Sequence, residues 1–407
     1  MTSVSPGRRA PRPWIVIAGG GTAGHVLPAL SVAAELVCRG LPAELIAFVG
    51  SARGLEARLV PEAGFAVTLL PGRGIQRKIS AQNIASIWGL IRAGVMATAQ
   101  LAKRRPAVVL SVGGYASVPC VLAATVLRIP LVVAEQNARA GVANRLGARF
   151  ARATAVSFPG VNLPRSVLTG NPVRSELVTL AGEDRKTRRG RAREMLGIDA
   201  DATVLLVFGG SLGARTLNTA TCAMVSQISD GHPASLQKLF VHHVSGEAEF
   251  ATVAAWEAQW RQQHHEGGIR YQLVSYENRM DLAMAAADVC LCRAGASSVA
   301  DLAIMGVPAL LVPLPIAAED HQTLNAQAVA NDGAGVLIPD AELSGQRLVH
   351  ELTELLAAPT RLTEMAVAQQ LRSRPGAAGA VAELLAVHAA RPFSSAALSQ
   401  GNSRERS

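Results

Sequence analysis

Short β-branched apolar runs alternate along the chain with longer Ala- and Leu-rich stretches of helical period. Runs of this length, bounded by glycine and proline, predict strands at 14–18, 44–49, 66–70, 107–112, 131–135 and 153–156. After "TGNPVR" (169–174) comes a polar, charged stretch at 182–194, and then the pattern starts afresh. The second series predicts strands at 203–208, 238–244, 271–274, 288–292, 309–312 and 335–338. Two consecutive strand–helix series make an α/β chain of two doubly wound parallel-sheet domains. The expected domains are 13–175 and 176–375, with a hinge near 172–177. Residues 1–12 and 391–407 are polar and Ser/Arg-rich and read as disordered tails.

Four glycine turns follow predicted strands: "GGGTAGH" (19–25), "VGGYASVP" (112–119), "FGGSLGA" (208–214) and "CRAGASS" (292–298). In open α/β sheets, ligands bind beyond the carboxyl ends of the strands. Glycines there let backbone N–H groups approach a phosphate at a helix N-terminus. Such turns in both halves describe two domains facing one another across a cleft. Gly19, Gly21 and Gly24 also spell the dinucleotide pattern G-x-G-x-x-G. An NAD site needs an acid at the end of the second strand, which here runs into Gly50, Ser51 and Arg53. Arg53 leaves NADP open on that ground, but a dehydrogenase has no need of the second glycine set.

Composition narrows the class. Of 407 residues, 49 % are hydrophobic and 17 % charged, which fits a globular α/β protein and not a disordered one. Apolar stretches break well before the roughly 20 residues of a membrane span. No signal peptide is read at the N-terminus. Five cysteines without framework spacing suit a reducing compartment. Cys290 and Cys292 alternate along a strand and read as core residues, not metal ligands. "DAD" at 199–201 matches the Asp-x-Asp metal motif found in many metal-dependent sugar transferases. It precedes a strand, at the edge opposite the phosphate-binding loops, and reads as a turn.

The net charge of +9 is unevenly placed. Between Glu62 and Glu135 there is no acidic residue, but eight basic ones: Arg73, Arg77, Lys78, Arg92, Lys103, Arg104, Arg105 and Arg128. Such asymmetry points to an anionic partner: membrane surface, nucleic acid or polyanionic substrate. Ile84, Ile87, Trp88, Ile91 and Val95 recur there at helical spacing, preceded by Ile75 and Ile79. A core-facing stripe is the plain reading. An inserted apolar patch ringed by Arg77, Lys78 and Arg92 on anionic lipid also explains why every nearby charge is positive.

The motifs "GGGTAGHVLPAL", "GGYASVP", "EQNARAGVANR", "GNPVR", "GGSLGARTLN", "RAGASSVADLA" and "EDHQTLNA", in this order, resemble the MurG family. These are the UDP-N-acetylglucosamine transferases that complete the lipid-linked peptidoglycan precursor, and the resemblance covers about 14–390. It implies a GT-B glycosyltransferase fold. The N-terminal domain would hold the lipid acceptor, and the C-terminal domain the nucleotide sugar. The last helix, about 376–390, would pack back on the N-terminal domain. The implied partners are UDP-N-acetylglucosamine, undecaprenyl-linked lipid I and an anionic membrane surface, with room for other cell-wall synthesis proteins. Nucleic acid, cofactor and metal are not implied. The implied location is peripheral, on the cytoplasmic side of the cell membrane. Three positions depart from the family pattern: Ala23 and Val118 replace frequent glycines, and Asp301 replaces the usual glutamate, one methylene shorter.

Each candidate residue has a functional and a plain reading. His25, at a helix N-terminus, is a general base or a capping histidine. Glu135, Gln136 and Asn137, just past a strand end, are site residues or turn caps. Glu135 is the alternative base, or orients the acceptor. Arg174 clamps a diphosphate or is a surface arginine. Ser211 holds a phosphate, caps a helix, or both. Asp301 reaches ribose hydroxyls or is a solvated helix carboxylate. The resemblance assigns Thr22, Ala23, Gly24 and Asn137 to the donor sugar and diphosphate. It assigns Ala296, Ser297, Ser298, Val299, Ala300 and Asp301 to the nucleotide, the Glu277 backbone to uracil, and Gln322, ahead of His321, to the sugar hydroxyls. Two other functions fit the fold: a UDP-N-acetylglucosamine epimerase and a non-catalytic UDP-sugar-binding protein. The basic first domain argues against the former, and His25 with Glu135 against the latter.

Overall fold

The computed structural model describes residues 12–71, 81–210, 214–231, 236, 238–264 and 269–392; the side chains of 81–88, 90, 318 and 359 fall outside the description. Ile75, Arg77, Lys78, Ile79 and Ser211 therefore lie outside the described residues, and so do the side chains of Ile84, Ile87 and Trp88. The chain divides into two compact units. The first holds the described residues up to Gln136, then Ala140–Pro172 and the chain from Gly376; the second holds Asn137–Arg139 and Val173–Pro375.

Among the described residues, unit one contains seven strands: β1 (Ile15–Gly19), β2 (Ile46–Ser51), β3 (Ala66–Leu70), β4 (Val108–Gly113), β5 (Leu131–Glu135), β6 (Ala153–Val156) and β7 (Ser166–Leu168). They form one parallel sheet in the order β3-β2-β1-β4-β5-β6-β7. Side chains alternate across a strand, so β1 serves two cores. Ile15 and Ile17 pack with Val26 and Val32 of the helix Ala23–Cys38 and with Val381 and Leu385 of the helix Ala377–His388. Val16 and Ala18 face the other layer, where the helix Ala81–Arg104 contributes Ala93, Ala97 and Leu101. Those three recur every fourth residue and define that helix's buried face. Ile91 and Val95 lie off it and are 52 % and 66 % exposed, so the core-stripe reading does not hold for them. β7 has no counterpart among the predicted strands: its three residues are exposed and carry no apolar run.

Unit two contains, among its described residues, β8 (Thr203–Phe208), β9 (Leu239–Val244), β10 (Arg270–Val274), β11 (Val289–Cys292), β12 (Ala309–Leu311) and β13 (Gly335–Leu337). These are parallel, in the order β10-β9-β8-β11-β12-β13. The helix Gly345–Ala357 packs against the helix Arg215–Ser229 and adds Leu348, Leu352 and Leu355 to the core that holds Leu205 and Val207 of β8. Cys290 and Cys292 are fully buried in β11, and burial pushes the Cys290 thiol well above its ordinary pKa. The acids of "DAD" sit at the amino ends of strands: Asp201 pairs with Lys238 at 2.5 Å and Asp199 with Arg270 at 2.8 Å.

Candidate active site

In unit one the site residues gather at the carboxyl ends of β1, β4 and β5. The loop after β1 meets the loop after β4 backbone to backbone, with Gly20 N donating to Gly113 O at 3.1 Å. The contact requires glycine. A Cβ on Gly114 (φ +82°) would lie 2.3 Å from Gly20 O. A Cβ on Gly20 (φ +140°) would strike the Glu56 carboxylate.

Glu56 is a residue that sequence reasoning missed. It is 1 % exposed. Oε2 accepts from Gly21 N at 2.7 Å and Oε1 from Ser51 N at 2.6 Å. A buried carboxylate thus occupies the Gly21 N–H that a dinucleotide loop would turn to a pyrophosphate, and its charge opposes an anion there. This is the structural argument against a dinucleotide reading of G-x-G-x-x-G. Downstream the loop enters the helix Ala23–Cys38, whose N-terminus no side chain caps. The positive end of that helix lies at Thr22, Ala23 and Gly24.

His25 is half-buried in the first turn. Its Nδ1 lies 3.2 Å from Thr22 Oγ1. When Nδ1–H donates to that hydroxyl, Nε2 keeps its lone pair. The ring lies against the β4 loop: a Cβ on Gly113 would sit 3.2 Å from His25 Nε2 and 3.1 Å from Asn144 Nδ2. Asn144 in turn donates to Glu135 Oε2 at 2.9 Å and to Ala134 O at 3.0 Å. Glu135 is 2 % exposed, and the same Oε2 accepts from Gly141 N at 3.0 Å. His25, Asn144 and Glu135 therefore form one neighbourhood around Gly113. Gln136 turns inward, its amide donating to Ala134 O at 3.2 Å.

In unit two, Arg174 and Asp301 come together, with Nη2 3.6 Å from Oδ2. Burial raises the Asp301 pKa to about 6, against the lowering effect of Arg174. Asp301 lies on the helix Ala296–Met305, whose N-terminus no side chain caps, and Ser297 Oγ is buried there without a partner. Free amides at a helix N-terminus suit a phosphate. Ala296, Ser297 and Ser298 form that first turn, and Val299 packs in the core beneath it, 4 % exposed.

Asn137 groups with unit two through Asn325, another residue the motif reading passed over. Asn325 is fully buried. Its Oδ1 accepts from Ala138 N at 2.8 Å, and its Nδ2 donates to Ala294 O at 3.0 Å and Asn137 Oδ1 at 3.2 Å. Gln322 Oε1 accepts from Leu314 N at 3.0 Å, which leaves the amide NH₂ as the group offered outward. The Glu277 side chain shapes its own loop. It accepts from Arg279 N at 2.7 Å and bonds His242 Nε2 at 3.0 Å, and the His242 bond holds its carboxyl below the usual range. Asn218 and His243 form a second buried pair at 3.0 Å, and burial takes the His243 pKa down to about 3.

Two parallel-sheet units with phosphate-suited loops at their carboxyl edges define the GT-B class of fold. Residues 15–156 match the Glycosyltransferase family 28 N-terminal domain, and residues 204–388 its C-terminal domain. The chain belongs to this family and, within it, to the MurG transferases. It is 42 % identical to the UDP-N-acetylglucosamine–N-acetylmuramyl-(pentapeptide) pyrophosphoryl-undecaprenol N-acetylglucosamine transferase of Streptomyces coelicolor, over 93 % of this chain and 100 % of that one. It is 41 % identical to the same transferase of Alkalilimnicola ehrlichii, over 91 % and 97 %. The crystal structure of Acinetobacter baumannii MurG superposes with a TM-score of 0.71 at 28 % identity, covering 91 % of this chain and 98 % of that one. A UDP-GlcNAc 2-epimerase from Neisseria meningitidis shares the fold alone, with a TM-score of 0.61 at 16 % identity over 91 % and 99 %.

Proposed function

We propose that the chain transfers N-acetylglucosamine from UDP-N-acetylglucosamine to undecaprenyl-diphosphate-N-acetylmuramoyl-pentapeptide (lipid I), giving lipid II. The observation that carries this is identity of about 40 % over nearly the whole chain to transferases of that name. The acceptor's 4-hydroxyl oxygen bonds to C1 of the donor sugar as the bond from C1 to the β-phosphate oxygen breaks, so the configuration inverts. The hydroxyl proton passes to His25 Nε2, and UDP leaves with the bonding pair. Arg174 and the amides at Ala296–Ser298 offset the charge that develops on the diphosphate. Asp301 accepts from the ribose hydroxyls, Ser211 serves the phosphates, and Gln322 donates to the sugar. Radiolabelled donor and lipid I test the reading. Label must move into the lipid fraction; label that stays in an epimerised nucleotide sugar, or unchanged donor, overturns it.

Asp301 makes donor binding pH-dependent. UDP-N-acetylglucosamine has no phosphate ionising near neutrality, because its diphosphate is esterified at both ends. Affinity should therefore fall about tenfold from pH 7.5 to pH 5 as Asp301 takes up a proton. The fall should be absent in Asp301→Asn, which should bind weakly throughout. Calorimetry across that range checks it, and a parallel fall in the variant would assign the titration elsewhere. The stability term has the opposite slope. A carboxyl with a raised folded-state pKa contributes stability below its unfolded value near 4 that is lost as pH rises through about 6.

The acceptor is a membrane lipid, and among the described residues no helix is long and apolar enough to cross a membrane. We propose peripheral attachment through the helix Ala81–Arg104. Ile91 and Val95 stand exposed beside exposed Arg92. Inserting an isoleucine or valine side chain contributes roughly 1.5–3 kcal/mol, and each basic residue near anionic lipid about 1 kcal/mol. The protein should co-sediment with anionic vesicles in a salt-sensitive way and little with neutral ones. A variant with Arg77, Lys78 and Arg92 changed to Ser should lose most of that binding. Equal, salt-independent binding by both would place the contact elsewhere.

A further inference from the structure

A cavity of about 720 Å³ opens in unit two beside the helix Arg185–Leu196. Its lining includes Ala200, which precedes β8, and Asp288, which precedes β11. It therefore lies at the amino ends of the strands, while the nucleotide-binding turns lie at their carboxyl ends. None of the residues placed in the transfer reaction lines it.

The wall is cationic by construction. Arg185, Arg189 and Arg193 recur every fourth residue and so share one helix face. Arg193 is 2 % exposed, with Nη2 2.7 Å from Asp288 Oδ2 and Nη1 donating to Ala200 O at 2.7 Å. Arg189 reaches the other oxygen of Asp288 at 3.0 Å. One carboxylate thus answers two guanidinium groups. Lys186 adds a fourth positive charge to the lining, and Asp184 a second negative one. The Asp184 oxygen is already taken by Thr187 N at 2.9 Å and Thr187 Oγ1 at 3.0 Å. Four cations against two carboxylates leave a surplus of two positive charges.

Arg185 makes no hydrogen bond or ion pair among the described residues. Burial and the neighbouring Arg189 charge act against its cation and lower its pKa, offset only in part by the Asp288 carboxylate. A guanidinium does not shed its proton in a protein, so an entering anion is what relieves it. The cavity is far larger than a bare phosphate, and Leu362 and Thr363 give it an apolar face and a hydroxyl. Its volume falls in the range of small-molecule sites.

We propose that this cavity is a second anion site of the enzyme, and that it takes a small organic phosphomonoester. The dianionic phosphate matches the surplus of two charges. Arg185 and Lys186 hold its oxygens, and Arg189 and Arg193, fixed by Asp288, supply the positive field behind them. The organic body lies toward Leu362. The site is separate from the donor site and needs no acceptor.

Calorimetry with glycerol 3-phosphate tests this on the full chain, with the donor site saturated by UDP-N-acetylglucosamine, whose diphosphate has no terminal dianion. Saturable binding is expected for glycerol 3-phosphate and none for glycerol. The double variant Arg185→Ser/Lys186→Ser should bind at least about tenfold more weakly, with an unchanged Tm, and Arg185→Lys should retain most of the binding. No binding to the wild type, or equal binding by wild type and double variant, overturns the proposal. Inorganic phosphate binding as tightly as glycerol 3-phosphate overturns the assignment to an organic phosphate. The readout involves no glycosyl transfer, so it stands or falls separately from the proposed reaction.

Discussion

His25→Ala is expected to lower kcat by roughly 10²–10⁴-fold, the usual contribution of a positioned general base, with little change in affinity for UDP-N-acetylglucosamine. His25 has its Nδ1 beside Thr22 Oγ1, and its Nε2 lies over the loop at Gly113, where only the absent Cβ leaves room for the ring. Glu135, the other candidate base, spends Oε2 on Gly141 N and Asn144 Nδ2. We propose that Glu135 acts as a positioning residue, holding Asn144 and the start of the helix Val142–Ala148. Glu135→Gln can place its amide oxygen where Oε2 accepts from both donors, and should cost less than His25→Ala. Near-wild-type turnover in a folded His25→Ala enzyme would move the base to another group.

The sequence shows best what depends on local pattern. Apolar runs mark twelve of the strands, because buried parallel strands carry their signal in consecutive residues. β7 escapes because its residues are exposed at a sheet edge. The stripe at Ile91 and Val95 has helical period whether it faces core or solvent. Only the positions of Ala93, Ala97 and Leu101 reveal which face is buried. Motif residues such as His25, Arg174 and Asp301 are legible because a turn and a helix start place them. Their supports are not. Asn325 reaches Asn137 across 188 positions of chain and Glu56 reaches Gly21 across 35. No spacing rule connects such partners. The pairing of Arg174 with Asp301 is likewise a tertiary fact, though each was singled out by itself.

Glu56→Ala should cost unit one about 3–5 kcal/mol of stability, the range for breaking a buried charged pair of hydrogen bonds. Two backbone donors, the buried Ser51 N and the partly buried Gly21 N, lose their acceptor, and the removed side chain leaves a void. The surrounding backbone closes tightly on the carboxylate: a Cβ at Gly20, Gly50 or Gly54 would come within 2.4 Å of Glu56 atoms. Glu56→Gln should also destabilise. One oxygen still accepts, but the new NH₂ is turned toward an N–H that already donates. The functional consequence follows from chain order. Gly21 leads directly to Thr22, and Thr22 bonds His25, so a released loop loosens the base. In both variants the melting transition of unit one should fall and kcat should drop. Binding of UDP, for which we propose mainly Arg174, Asp301 and the helix start at Ala296 in unit two, should change much less than kcat. Differential scanning calorimetry together with UDP titration separates the effects. A Glu56→Gln enzyme with wild-type melting and turnover would show that the carboxylate merely fills space beneath the loop.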